Sequence, residues 1–339
     1  MLKTPLVELR GVTKYFEKGF IRKTYNYAVI DVNLIINHRD IIALVGESGC
    51  GKTTLGKITA GIIRPSKGTV LWEGKDIWNI SRGEFKKMRP MVQIVHQDPY
   101  ASLNPARTVY QILSPIVKKY RKIGSNRELK EIIKEILEYV GLTPPDYFLN
   151  KYPHHLSGGM RQRLVFARSL IPGPKLIVAD EPVSMIDMSL RLSILKLMRR
   201  LNEELGIAFL YISHDLSTAR YFSYKAKLVL MYLGRIMMLA PMEMALKEPL
   251  HPYLRALLST IPIPDPELAK KRRKLKLKDL NIPKEIIQTK GCPFGTRCPY
   301  SKNVCFEKTP RLREVKNEYH VACHLVEEMP KWTAPWQEA

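Results

Sequence analysis

The chain opens on alternation. In LVELRGV and YAVIDVNLII, apolar and polar positions trade places almost one by one, the period of strands with one solvated face. This predicts antiparallel strands over the first forty residues. IIALV, five apolar residues in a row, reads as a buried strand, and TTLGKITAGII behind it as a helix. GTVLWEGKDI predicts two short strands about a turn, MVQIV (Met91–Val95) another strand, and HQDPYASLNP a turn-rich loop. Between 126 and 142 the period changes. Leu129, Ile132, Ile133, Ile136, Leu137 and Val140 recur at spacings of three and four, the stripe of an amphipathic helix, and Gly141 suits its C-terminal end. A helical subdomain from about 98 to 170 is therefore expected to interrupt the strands. KLIVAD and GIAFLYISHD resume them, with the helix SLRLSILKLMRRLNEEL between. That order implies parallel pairing and an α/β fold. KLVLMYLGRIMMLAP predicts a final strand pair, followed by a Pro-rich tail from about 246 with no internal repeat.

Composition narrows the setting. With 339 residues, 45% hydrophobic and 26% charged, the chain is globular and long enough for about two domains. No apolar run approaches the ~18–20 residues of a membrane span. MLKTPLVELRG lacks the apolar centre of a secretory signal. A cytosolic chain that meets a membrane only as a peripheral partner is expected. The net charge of +23 favours anionic partners (nucleic acid, nucleotide or the anionic inner leaflet) without choosing among them. The densest basic run, KKRRKLKLK (Lys270–Lys278), follows the Pro-containing IPIPDPEL and reads as an exposed linker before a nucleic-acid patch. Of five cysteines, Cys292, Cys298, Cys305 and Cys323 fall in the last fifty residues. In a cytosolic chain such crowding points to metal binding more than to disulfides.

The candidate chemistry begins directly after IIALV. GESGCGKT fits the pattern G-x-x-x-x-G-K-[ST], with Gly46, Gly51, Lys52 and Thr53 at its fixed positions and Glu47, Ser48, Gly49 and Cys50 between. A polyphosphate needs many donors at close range. Glycines let the backbone wrap around it with N–H groups inward, and the helix behind presents its positive end, with Thr54 in its first turn counted among the ATP-binding residues. Lys52 adds a cation near the β/γ-phosphates, and Thr53 a hydroxyl for Mg²⁺. KLIVADEP (Lys175–Pro182) ends a buried strand in Asp180 and Glu181. The first can hold Mg²⁺ through a water; the second, on the opposite side of the strand end, can polarise the attacking water. LSGGMRQR (Leu156–Arg163) opens a helix with Ser157, Gly158 and Gly159, a second anion cradle. One triphosphate does not need two cradles, so this one is expected to serve a nucleotide on another subunit.

The phosphate loop, Gln97 in VHQDPY, LSGGMRQR, DEP with Asp187 in SMIDMS, and His214 in YISHD stand in the order that resembles ATP-binding-cassette proteins. The resemblance implies an ABC nucleotide-binding domain: a P-loop NTPase mixed-sheet core, an antiparallel β-subdomain and an α-helical subdomain. It also implies a head-to-tail dimer with two ATPs between one subunit's phosphate loop and the other's signature motif. By that resemblance Lys52 and Thr53 bind phosphate and Mg²⁺, Gln97 senses Mg²⁺ and the attacking water, and Asp180 holds the metal shell. Glu181 is the general base and His214 contacts the γ-phosphate. Ser157 and Gly159 reach the partner's ATP, and Asp187 joins the two sites. Phe16 in GVTKYF falls where the family stacks an aromatic on adenine, with Tyr15 beside it; without the resemblance, strand packing would be the commoner role. Met160 and the Met of SMID depart from the family's usual residues, but no catalytic group is lost, so a hydrolysing subunit is expected.

The tail discriminates within the family. PLHPYLRALLSTIP (Pro249–Pro262) and GCPFGTRCPYSKNVC…YHVACHL resemble the C-terminal extension of oligopeptide/dipeptide importer ATPases. The implied division is a cassette over 1–245 and a small Cys-containing extension over 246–339. The implied assembly has two cassette subunits, often non-identical, under two transmembrane permeases, on the cytoplasmic face of the cell membrane. An extracellular binding protein supplies the cargo. The loop from Gln97 through SLNP would touch the permeases. No nucleic acid is then needed to explain the charge, and a soluble nucleic-acid-associated ATPase is the remote alternative. Similar ATPases power oligosaccharide and nickel uptake, so cargo stays open. The four cysteines are separated by five, six and seventeen residues, which matches neither common zinc pairing. Thiolates can also ligate iron–sulfur clusters, and the resemblance implies a [4Fe–4S] cluster on Cys292, Cys298, Cys305 and Cys323, with zinc or bare thiols as alternatives. Its expected role is to staple a tail with little regular core. Cys50 reads as an inert loop residue.

Overall fold

The computed structural model describes residues 4–18, 24–222, 225–261, 275–281 and 290–332. Two sheets carry the architecture. The smaller is antiparallel, in the order β2-β1-β4-β5: β1 (Val7–Lys18), β2 (Thr24–Ile36), β4 (Lys67–Trp72) and β5 (Lys75–Asp76). The alternation of β2 is realised, with Val32, Leu34 and Ile36 buried and Asp31, Asn33 and Ile35 exposed.

The larger sheet has eight strands in the order β11-β12-β10-β9-β3-β8-β7-β6. Its parallel part comprises β3 (Ile41–Val45), β6 (Val92–Val95), β7 (Leu176–Asp180), β8 (Ala208–Ser213) and β9 (Lys227–Tyr232). The near-continuous apolar runs exist because both faces are covered. Ile42, Leu44, Val178 and Leu210 feed a core shared with the antiparallel sheet. Ala43, Val45, Ile177, Ala179 and Phe209 feed a second core on the other face. Every parallel strand therefore ends at one edge, where open α/β sheets gather their ligands.

Helices fill in as the periodicity predicts, with two differences. α1 (Lys52–Thr59) stops four residues short of the expected end, because Gly61 takes a left-handed φ of +63° and Pro65 follows. HQDPYASLNP is not all loop: the Asp98 side chain accepts from the Tyr100 N–H and starts a single turn, α3 (Pro99–Ser102). α2 (Arg82–Met88) precedes it. α4 (Val109–Tyr120), α5 (Asn126–Tyr139), α6 (Pro145–Leu149) and α7 (Gly158–Leu170) follow, with Leu129, Ile133 and Leu137 of α5 fully buried. α8 (Met188–Leu205) and α9 (Leu216–Phe222) flank β8.

The tail is more ordered than the sequence suggests. After β10 (Arg235–Pro241), α10 (Met242–Lys247) and α11 (Pro252–Leu258), β11 (Arg313–Lys316) and β12 (Tyr319–Val321) extend the main sheet through β10. Phe294, Tyr319 and Val321 enter the second core. The ring centroids of Tyr232, Tyr253 and Phe294 lie 4.8–5.4 Å apart, which binds the end of β9, α11 and the cysteine segment into one aromatic cluster. Most of IPIPDPEL, and the basic run through residue 274, lie outside the described residues; Lys276 and Lys278 are exposed.

α11 is capped by a buried base. The His251 Nδ1 accepts from the Tyr253 N–H at 3.0 Å. Burial, helped by the Arg255 cation and opposed by a backbone hydrogen bond at Ala322, pushes its pKa down to about 3. The unfolded chain takes up this proton near the ordinary pKa of 6.5 and the folded chain does not. Stability is therefore intact above that value and falls as pH drops toward 3. Thermal unfolding followed from pH 7 to 4.5 should show a Tm that declines with acid. His251→Asn, which keeps a capping acceptor but cannot titrate, should flatten the decline; an unaltered slope would remove His251 as its source.

Candidate nucleotide site

β3 delivers the glycine loop to the sheet edge, and two of its glycines are obligatory. A Cβ on Gly51, whose φ is +104°, would stand 1.9 Å from the Ala28 carbonyl oxygen; one on Gly46 would stand 2.1 Å from that of Met231. The loop is thus pressed between β2 and β9 with no room for a side chain. Gly51 is also the N-cap of α1, so the positive end of that helix opens into the loop. Lys52 is buried, and its Nζ donates to the carbonyls of Gly46 (2.7 Å) and Glu47 (2.9 Å). Cys50 turns inward. Burial raises its thiol pKa, against the pull of the Lys52 cation, so the group is neutral and unreactive.

A cavity of about 570 Å³ opens in front of this loop. One wall is Ser48, Gly49, Gly51, Lys52, Thr53 and Thr54; a second is Gln97, Glu181 and His214. The third is Phe16 together with Asn26, Tyr27 and Ala28. Motifs scattered over some 200 residues thus converge on one space. Tyr15 instead packs against Tyr25 and Tyr27, while Phe16 is 46% exposed with the Lys14 Nζ 5.2 Å from its centroid. Alternation along β1 separates the two aromatics as packing and platform. Asn26, Tyr27 and Ala28 carry no motif. Their signal lies in register, since Asn26 pairs with Phe16 across β1 and β2.

Two polar contacts organise the cavity floor. The Thr53 hydroxyl donates to Asp180 Oδ1 at 3.1 Å, which ties the start of α1 to the end of β7. Burial raises the Asp180 pKa, the Thr53 hydrogen bond partly offsets this, and the like charge of Glu181 adds to it. The donors here are hydroxyl, carboxylate and the Gln97 amide, all oxygen ligands of the hard kind that suit Mg²⁺. Glu181 stands at φ +46°, a strained position for a non-glycine residue, with its N–H held by the Ile212 carbonyl at 3.0 Å. Its Oε1 lies 2.9 Å from His214 Nδ1. This hydrogen bond lets the two side chains orient each other at the cavity mouth.

The remaining candidates do not line this cavity. Gly46, Glu47, Cys50 and Asp180 stand behind the wall. The Ser157 side chain accepts from the Met160 N–H and caps α7, and Gly158 and Gly159 begin that helix. Asp187 is the N-cap of α8. Around these residues Met160, Met185, Met188 and Leu192 are exposed, a run of large apolar side chains that a lone subunit leaves in water.

The four tail cysteines are free and sit in one neighbourhood. The Cys292 N–H donates to the Cys305 carbonyl at 2.7 Å. Burial, with the neighbouring sulfurs adding, pushes Cys292 up to about 12 and Cys323 up to about 11. Among the described residues no three His, Cys, Asp or Glu side chains form a group with metal-holding geometry. No helix among them is long and apolar enough to cross a membrane.

This architecture has relatives. Residues 29–184 match the ABC transporter family, and 239–305 match the oligopeptide/dipeptide transporter C-terminal region. The putative oligopeptide transport ATP-binding protein YkfD of Bacillus subtilis is 40% identical over 96% of this chain and 97% of its own length. A putative peptide import ATP-binding protein of Brucella ovis is 39% identical over 95% and 98%. Among solved structures, the dimeric ATP-binding cassette MJ0796 bound to ADP and Pi aligns with a TM-score of 0.61 at 29% identity, covering 70% of this chain and 98% of that one. A chain that folds in this way and matches such relatives nearly end to end belongs to the ATP-binding subunits of the ABC transporter family.

Proposed function

We propose that this chain is the ATP-hydrolysing subunit of a membrane importer for oligopeptides or dipeptides. The observation that carries the reading is the convergence of the phosphate loop, Thr53–Asp180 and Glu181–His214 on one cavity. The C-terminal match to oligopeptide/dipeptide transporters supports the choice of cargo. Phe16 offers its face to the adenine, and the loop N–H groups and Lys52 hold the phosphates. Thr53, Gln97 and, through water, Asp180 would hold Mg²⁺, which would screen the charge on the β/γ oxygens. Glu181 takes a proton from water as that water bonds to the γ-phosphorus, and the bond to the ADP oxygen breaks. His214, held by Glu181, faces the γ-phosphate from the same wall.

Ser157, Gly158, Gly159 and Asp187 belong to the second half of the site. A partner cassette, a paralogue or a second copy, would present its own loop to them, and the exposed methionines around them support a surface made to be covered. Two permeases and an extracellular binding protein complete the assembly, with this chain on the cytoplasmic face. Purifying that assembly and offering its binding protein short peptides, oligosaccharides and nickel tests the cargo. Peptide binding is expected; binding of sugar or metal alone would overturn the peptide reading.

We infer a [4Fe–4S] cluster at the cysteine quartet from the chemistry of four free thiols in one neighbourhood, although no three described side chains there already stand in metal-holding geometry. The four thiols are unpaired and gathered in one neighbourhood. Burial raises the pKa of Cys292, Cys298 and Cys323, so a bound cation would be needed to draw off their protons. Cys292, Cys298, Cys305 and Cys323 would be the ligands, and the cluster would crosslink the segment that carries Arg297. Anaerobically purified full-length protein should contain about four iron and four acid-labile sulfide per chain, and Cys323→Ser should lose most of both. Zinc without sulfide would replace the cluster with a zinc site.

A further inference from the structure

Glu47, the second residue of the phosphate loop, has all of its polar groups engaged. Its backbone N–H donates to the Tyr253 hydroxyl at 2.7 Å. Its carbonyl accepts from Lys52 Nζ at 2.9 Å. Its carboxylate meets Arg297 in a two-pronged pair, Nη1 to Oε2 at 2.7 Å and Nη2 to Oε1 at 3.0 Å. Arg297 is only 4% exposed, and it is fixed in turn by the Tyr232 hydroxyl (3.2 Å) and the Asp279 carbonyl (3.3 Å). Tyr253 and Arg297 both belong to the C-terminal extension, 206 and 250 residues beyond Glu47. The extension therefore reaches Lys52 through a single intermediary.

We propose that the extension positions the phosphate loop, with Arg297 as the positioning residue acting through Glu47. The inference rests on the loop being the nucleotide site. Two physical effects make the contact matter. Gly46, Gly49 and Gly51 give the loop wide backbone freedom, and fixing Glu47 at both its N–H and its carboxylate removes part of that freedom before nucleotide arrives. Glu47 is also an anion beside a polyphosphate site, and the Arg297 fork neutralises it. Without Arg297 the carboxylate is unpaired and repels the phosphates.

The test uses full-length protein, with Mg-ATP affinity read by calorimetry and hydrolysis at saturating ATP read separately. Arg297→Gln should weaken Mg-ATP binding about tenfold or more while saturated hydrolysis stays within about twofold of wild type. Adding Glu47→Gln should restore affinity to within about threefold, because it removes the repelling charge and lets two amides pair. Among the described residues the Glu47 carboxylate bonds to the cysteine segment through Arg297, so this rescue separates positioning from damage to that segment. Wild-type affinity in Arg297→Gln, or a loss that Glu47→Gln does not relieve, overturns the proposal. If Arg297→Gln does not fold, Arg297→Lys carries the test: it keeps the charge but loses the fork and should bind about threefold more weakly, and unchanged affinity overturns the proposal. Failure of wild-type protein to bind Mg-ATP would instead overturn the nucleotide reading on which this one stands.

Discussion

Glu181→Gln should bind ATP and scarcely hydrolyse it. The amide keeps the size and shape of the carboxylate and can still meet His214, so the cavity keeps its form. What disappears is the group proposed to accept the proton of the attacking water. A positioned general base contributes roughly 10²–10⁴-fold, and steady-state phosphate release should fall by about that factor. Nucleotide affinity should be retained or increased. The hydrogen bond from the Glu181 N–H to the Ile212 carbonyl holds the backbone independently of the side chain, so the variant should also fold. Phosphate release within a few-fold of wild type would take the base role away from Glu181.

Lys52→Ala should fail one step earlier. Its ammonium is the cation buried in the loop wall, and it donates to two loop carbonyls. Charge-assisted hydrogen bonds contribute roughly 1.5–3 kcal/mol each, and each ~1.4 kcal/mol is tenfold in binding. Losing those to the phosphates should weaken ATP affinity by about a hundredfold or more. Equilibrium titration with a fluorescent ATP analogue, beside a melting curve to confirm folding, measures this directly. Unchanged affinity would contradict the cradle. The two variants also differ in kind: Glu181→Gln traps nucleotide, whereas Lys52→Ala excludes it.

Much of this site is legible without coordinates because its chemistry admits few residue types. A glycine is needed where Ala28 and Met231 carbonyls crowd the loop, and the proposed chemistry calls for a lysine and a threonine where phosphate and metal would sit. Carboxylates are needed where β7 meets the sheet edge. Such demands leave fixed letters at fixed spacings. The stripe of α5 is legible for a related reason, since its period repeats often enough to exclude chance. Register leaves no such trace. Asn26, Tyr27 and Ala28 reach the cavity because β2 pairs with β1 in one alignment, and their own identities say only that they lie in a strand. The link from Arg297 to Glu47 is less visible still, because a contact between residues 250 positions apart depends on the whole intervening fold. The tail misleads for the opposite reason. Its prolines and cysteines suggest little regular structure, yet β12 finds a free edge on β10 and buries Tyr319 and Val321 there. The short α1 was legible in principle, since Gly61 and Pro65 both mark its end.

If ATP hydrolysis in this cavity drives passage through a membrane gate, the chain reconstituted with its permeases and partner cassette in liposomes should take up a labelled peptide delivered by the binding protein. Uptake should require ATP on the cassette side and should vanish when Glu181→Gln replaces the wild-type chain. Peptide entry at the same rate without ATP, or with the variant, would contradict that coupling.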